Sequence, residues 1–222
     1  MVGERARRQY CRGMDGRAVD RAVREIVRPS LKDAGFTEFT GRKSWRFQPA
    51  TIELVTFRSF TSYIAAGVGC TTFSFALTAG VWYRCLDVDL VKPEDYHLTF
   101  SFELGKTLRQ PWFTHEGAAN RWDRPDVWYV LPDGSNLDES VRDAAAVLVA
   151  SGLPLLDRFA VPELAYRALL TEASHNPDFG VPGIAMPGRP GSPRWRETGL
   201  AIGHLVVDDP RADLETAPVL AG

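Results

Sequence analysis

The stretch from Thr71 to Tyr83, TTFSFALTAGVWY, constrains this chain more than any other. Phe73, Phe75, Leu77, Ala79, Val81 and Tyr83 fall on one parity. Thr72, Ser74, Ala76, Thr78 and Gly80 fall on the other, and only Trp82 breaks the pattern. A strand points successive side chains to opposite faces, so the alternation predicts a long β-strand with one buried aromatic face. A helix would scatter the same aromatics around its axis. Such a strand belongs in the middle of a sheet. Its small-residue face suits either solvent or an element packed closely against it.

His97 to Leu104 alternates as cleanly: Leu98, Phe100, Phe102 and Leu104 read as core, with His97, Thr99, Ser101 and Glu103 outward. Its aromatic content predicts an antiparallel neighbour of the first strand. Ser44 to Phe47 is a shorter signal, with Trp45 and Phe47 on one face and Ser44 and Arg46 on the other; Gln48-Pro49-Ala50 follows as a turn. In Thr51 to Ser59, Ile52 and Leu54 share a parity that Val55 and Phe57 oppose, so either both faces are covered or a bulge near Leu54 shifts the register. Residues 61–70 read as a loop. Its Gly67-Val68-Gly69 invites a phosphate-binding reading, but a dinucleotide fingerprint follows a strand and opens a helix, whereas these glycines lead into a strand. Val127 to Leu131 is the last strand signal, ending at the turn Pro132-Asp133-Gly134.

Helices flank these strands. Asp20 to Ala34 carries Val23, Ile26, Val27 and Leu31 at helical spacing, with Val19 just before it; Pro29 is expected to kink or split the helix and Gly35 to cap it. Leu137 to Ser151 is the clearest helix, with Ser135 or Asn136 to cap it and Gly152 and Pro154 expected to end it. Leu153 to Phe159 reads as a short apolar helical turn, Val161 to Thr171 as a helix, and Arg194 to Val207 as one more. Between them Asn176 to Pro193 is dense in Pro and Gly, a long loop of functional or mobile type. From Asp208 a disordered tail is expected. The fold class is therefore α+β: an antiparallel sheet of about five strands with helices packed mainly on one face. Residues 1–17 read as a basic disordered leader, 18–173 as a single α+β domain, and 174–222 as the Pro/Gly-rich segment with a short helix and an acidic tail.

With 222 residues, 45% of them hydrophobic, the chain can bury one sizeable core. A formal net charge of −2 argues against a nucleic-acid surface and against a polybasic membrane anchor. No apolar run approaches the roughly 20 residues a span needs, and the amino terminus lacks a signal-peptide core. Cys11, Cys70 and Cys85 show no paired spacing. A cytoplasmic protein is the expectation. The leader holds Arg5, Arg7, Arg8, Arg12 and Arg17, which is either a basic arm or a plain disordered start, with Met14 a possible initiator.

Leu31-Lys32-Asp33-Ala34-Gly35-Phe36, then Gly41, Trp45 and Arg46, then Val55-Thr56-Phe57-Arg58, Phe75 to Val81 and His97 to Gly105 together resemble an uncharacterised bacterial family, the domain of unknown function 4304. The resemblance covers roughly residues 20 to 170. It departs at Thr56 and Arg58, where an amide-bearing pair belongs. It implies the α+β fold and brings no activity.

Candidate chemistry is sparse. The segment from Trp112 to Trp128 holds Trp112, His115, Glu116, Trp122, Asp123 and Asp126; it reads as an aromatic binding loop or as a loop pinned down by its own tryptophans. His115-Glu116 lacks the second histidine of a zinc helix, so no metal and no cofactor is expected. Arg46, Arg58 and Arg84 sit on or beside strands and would make an anion or acidic-partner site if they converged; otherwise they are separate surface arginines. His97 lies on the polar face of its strand beside Glu103. No serine elbow or Cys-His pairing points to a nucleophile. The leading expectation is a non-catalytic binding or accessory protein, of immunity type or otherwise, that recognises a protein or small ligand through the sheet's polar face and the Trp-rich loop. The alternative is an enzyme using His97, His115 or Glu116 in a cleft lidded by the Pro/Gly-rich segment.

Overall fold

The computed structural model describes residues 16–87, 89–108, 124–171, 184–185, 187, 192–208, 210–211 and 214. Its sheet follows the alternation of the sequence. Four long strands, β2 (Lys43–Phe47), β3 (Thr51–Ser59), β4 (Phe75–Tyr83) and β5 (Phe100–Leu104), pair in that order, every pair antiparallel. Three two-residue strands complete the sheet: β1 (Glu38–Phe39) beside β2, β6 (Val127–Trp128) beside β4, and β7 (Ile184–Ala185) beside β5. Together with the helices this is the α+β architecture expected.

The aromatic face of β4 is the core. Phe75, Leu77, Ala79, Val81 and Tyr83 pack with Phe57, Phe100, Phe102 and Trp128, all buried. Phe159 closes over Phe100 and Phe102 with ring centroids 4.8 and 5.0 Å apart, and Phe75 stacks on Trp128 at 5.6 Å. Each such ring contributes about 1.5–3 kcal/mol by burial. The helices that cover this face are α1 (residues 16–33), α3 (Leu137–Phe159), α4 (Pro162–Thr171) and α5 (Pro193–Gly203). Among the described residues no single helix is long and apolar enough to cross a membrane.

Both prolines expected to break helices are accommodated instead. Helix α1 comprises Gly16–Ala22, a π-turn at Val23–Val27 and Arg28–Asp33; α3 comprises Leu137–Val147, a π-turn at Leu148–Gly152 and Leu153–Phe159. A proline inside a helix lacks a donor and crowds the carbonyl four residues back. In each case the wider turn lies just before the proline, Pro29 or Pro154, and removes both conflicts. Gly152 and Pro154 therefore mark a bulge within one helix and not its end. Gly35 stops α1 as expected: it is left-handed at φ 86°, and Phe36 N–H donates to Leu31 C=O at 2.9 Å.

Four further differences from the sequence reading have local causes. Residues 71–74 form a turn before β4, because the Thr71 and Ser74 hydroxyls take up backbone groups there. The expected loop over 61–70 holds helix α2 (Ser62–Val68), whose first turn is capped by Thr61 Oγ1 accepting from Ile64 N–H at 3.3 Å. Gly69, left-handed at φ 75°, closes that helix, so Gly67 and Gly69 belong to a helix and its cap. Within the Pro/Gly-rich segment, residues 184–185 pair with β5 as strand β7. After Asp208, Pro210, Arg211 and Leu214 are helical, and Leu214 packs against Gly199 of α5. β3 runs without a bulge and is buried on both faces from Thr51 to Phe57, which settles its mixed parity.

Candidate functional site

Among the described residues the second face of the sheet carries no long helix. At one end α2 covers Ala76 and Val127 through Phe60, Ala65, Val68 and Tyr129. At the other, residues 84–98 cross Ile52, Leu54, Trp45 and Trp82, with Leu98 buried among them. Gly80 lies under this strap: a Cβ there would stand 2.5 Å from Leu98 Cδ1 and from Phe100 O. Gly80 is thus required by the close approach, as a Cβ there would press on Leu98 of the strap and on the Phe100 carbonyl.

The strap is held by side chains of the sheet beneath it. Trp45 Nε1 donates to Pro93 C=O at 3.0 Å, Lys43 pairs with Glu94, and Thr56 Oγ1 donates to Asp95 at 2.7 Å. Lys92 lies 5.7 Å over the Trp45 ring. Between strap and α2, Arg58 meets Glu103 at 3.4 Å, half-exposed. Among the described residues the two most exposed aromatics are Tyr63 on α2 at 88% and Tyr96 on the strap at 76%.

The three arginines do not converge. Arg46 is on the helix-covered face, buried, and is corrected from a partner-facing residue to an internal tie. Its Nε pairs with Glu53, Nη1 donates to Ala34 C=O at 2.9 Å, and Nη2 reaches Asp157 at 2.5 Å, joining α1, β2, β3 and α3. Burial works against the Arg46 charge, but the Glu53 and Asp157 carboxylates more than offset it and raise the group. Glu53 is fully buried and its Oε1 accepts no bond; desolvation raises its carboxyl even beside Arg46. Arg58 is spent on Glu103. Arg84 stands apart, its guanidinium 5.9 Å over the Phe47 ring, with no acidic partner among the described residues.

His97 lies beside Trp82, ring centroids 6.4 Å apart, and under Tyr96 at 4.1 Å. Its Nδ1 accepts the Glu94 N–H at 2.9 Å, which assigns the ring proton to Nε2. No carboxylate among the described residues hydrogen-bonds it, so it lacks the partner a general base of the histidine–acid type uses. Trp82 was the residue that broke the alternation of the central strand. Its Nε1 is buried with no acceptor among the described residues, and so is Nε of Arg84, two positions further along the chain.

Trp112, His115, Glu116 and Trp122 lie outside the described residues. The chain on either side of them is well fastened. Lys106 N–H donates to Pro125 C=O at 2.8 Å, and Lys106 Nζ donates to the carbonyls of Arg124 and Val127 at 2.6 and 2.8 Å. Arg124 pairs with Asp126, and Asp143 of α3 accepts from Trp128 Nε1 at 2.8 Å and from Thr107. Arg124, at the carboxyl end of the segment outside the described residues, also feels the charge of Glu103.

Among the described residues no group of three or more His, Cys, Asp or Glu side chains is placed to hold a metal ion. Comparison with protein-family models, curated proteins and solved structures found no match to this chain.

Proposed function

We propose that this is a non-catalytic binding protein that recognises a protein partner or small ligand through the second face of its sheet. The observation that carries this is the asymmetry of the two faces. Among the described residues the long helices all pack on one, while the other carries the half-exposed Arg58–Glu103 pair, with exposed tyrosines on α2 (Tyr63) and on the strap (Tyr96). Aliphatic residues are exposed on the helical side too, Val149, Val161, Leu164 and Leu205 among them. Tyrosine differs from these in being favoured at recognition surfaces, where a rigid ring and a polar tip both find partners. The fastened base of the Trp-rich segment adjoins the same face and adds to the reading. A cytoplasmic setting and an immunity-type role are part of this proposal. Photo-crosslinking residues placed singly at 63, 96, 149 and 205 test it in cells. The expected outcome is one common adduct at 63 and 96, lost in R58E; adducts confined to 149 and 205 would overturn it.

A further inference from the structure

We infer that Trp82, Arg84 and His97 form an oxyanion-anchoring end of this face, which receives a carboxylate or phosphate group of the bound ligand. The inference rests on the second face being the recognition surface, and it names the chemistry of one end of it. Two buried N–H donors two positions apart in the chain, Trp82 Nε1 and Arg84 Nε, lack an acceptor among the described residues. A buried donor left unpaired costs about 1–3 kcal/mol, so two with no acceptor among the described residues favour one supplied by a ligand. Three of the strap's four acids are held elsewhere, and the fourth, Asp89, is exposed. Glu94 is held by Lys43, Asp95 by Thr56, and Asp87 by the Asp89 N–H at 3.0 Å. His97 adds a third donor: with Nδ1 occupied by the Glu94 N–H, Nε2 carries the proton and meets no acceptor among the described residues. Its ring stands at 62° to that of Trp82.

The ligand class follows from the donors. A neutral carbonyl would suit an indole and an imidazole, but a guanidinium laid on an aromatic ring and without a carboxylate partner favours an anionic oxygen group. Arg84 and His97 are half-buried, so the outer parts of the guanidinium and imidazole side chains meet solvent, while Trp82 Nε1 and Arg84 Nε are both closed to it.

The test is a titration of the full chain with inorganic phosphate and, separately, with acetate at matched ionic strength, following tryptophan indole N–H signals by NMR. The W82F variant assigns the Trp82 signal. A saturable shift of that signal is expected, weakened about tenfold or more in R84M and partly restored in R84K. A shift with phosphate alone identifies a phosphate group, and one with acetate alone a carboxylate. A Trp82 signal that neither anion moves, or that moves equally in R84M, overturns the inference. Failure here is distinct from failure of the face itself. Crosslinks at 63 and 96 would persist if only the anion site is wrong, and R58E should titrate like the unaltered chain.

Discussion

Replacing Arg46 by methionine removes the only cation in contact with the fully buried Glu53 carboxylate among the described residues. Breaking a buried pair from one side costs about 3–5 kcal/mol, because the remaining charge has nothing to offset its desolvation. Glu53 can escape that penalty by taking up a proton, and the cost of doing so depends on pH. An unfolded glutamate titrates near about 4.3, and each pH unit above that makes protonation about 1.4 kcal/mol harder. At pH 7.5 the protonated route therefore costs about 4 kcal/mol, and at pH 5 about 1 kcal/mol. The lost bonds to Ala34 C=O and to the largely exposed Asp157 add about 1–2 kcal/mol at either pH. The sign is that of a carboxyl raised in the folded state: its stability is fully present below the unfolded value and is lost as pH rises through the folded one. Urea denaturation of R46M and the unaltered chain at pH 7.5 and pH 5, followed by circular dichroism, measures this. The deficit should be about 4–6 kcal/mol at the higher pH and should shrink by about 2–3 kcal/mol at the lower. The double variant R46M/E53L should recover most of the loss, since apolar residues of similar volume replace the pair. A deficit below about 1 kcal/mol, or one independent of pH, would refute the buried tie.

Three further outcomes follow from particular contacts. Gly80→Ala should destabilise by about 1–3 kcal/mol in thermal melts, since the added Cβ meets the Phe100 backbone carbonyl as well as Leu98. Asp143→Ala should cost about 2–4 kcal/mol in denaturant melts, because it strips the acceptor from the buried Trp128 indole and from Thr107. The Cys70 thiol, pushed up to about 11 by burial, should resist iodoacetamide in the folded protein at pH 8 while exposed Cys85 reacts first; peptide mapping reads both, and urea should equalise them.

Strand alternation made the sheet legible, since period-two patterning reports burial directly. Phe75 to Tyr83 and Phe100 to Leu104 could be read from residue order alone. Helix α2 was hidden because Ser62–Val68 is short, and its glycines resemble loop punctuation until one sees Gly69 as the left-handed residue that closes it. The π-turns before Pro29 and Pro154 leave no composition signal, as they are set by tertiary packing of α1 and α3. Arg46 looked like a surface charge because sequence gives parity but not which parity is covered. The anion site was half visible: Arg84 and His97 stood out as chemistry, and Trp82 stood out as the single break in an otherwise regular strand. What joined them was the strap folding back over the face, a contact between segments that no local pattern encodes.

The claim that the second face is the recognition surface is tested most directly by hydrogen–deuterium exchange of the protein alone and with the partner identified through the crosslink at position 63. Slowed exchange confined to 56–68, 76–82 and 91–103, with α3 and α4 unchanged, is the result predicted. Slowed exchange centred on Leu137–Phe159 and Pro162–Thr171, with those sheet segments unchanged, would contradict it.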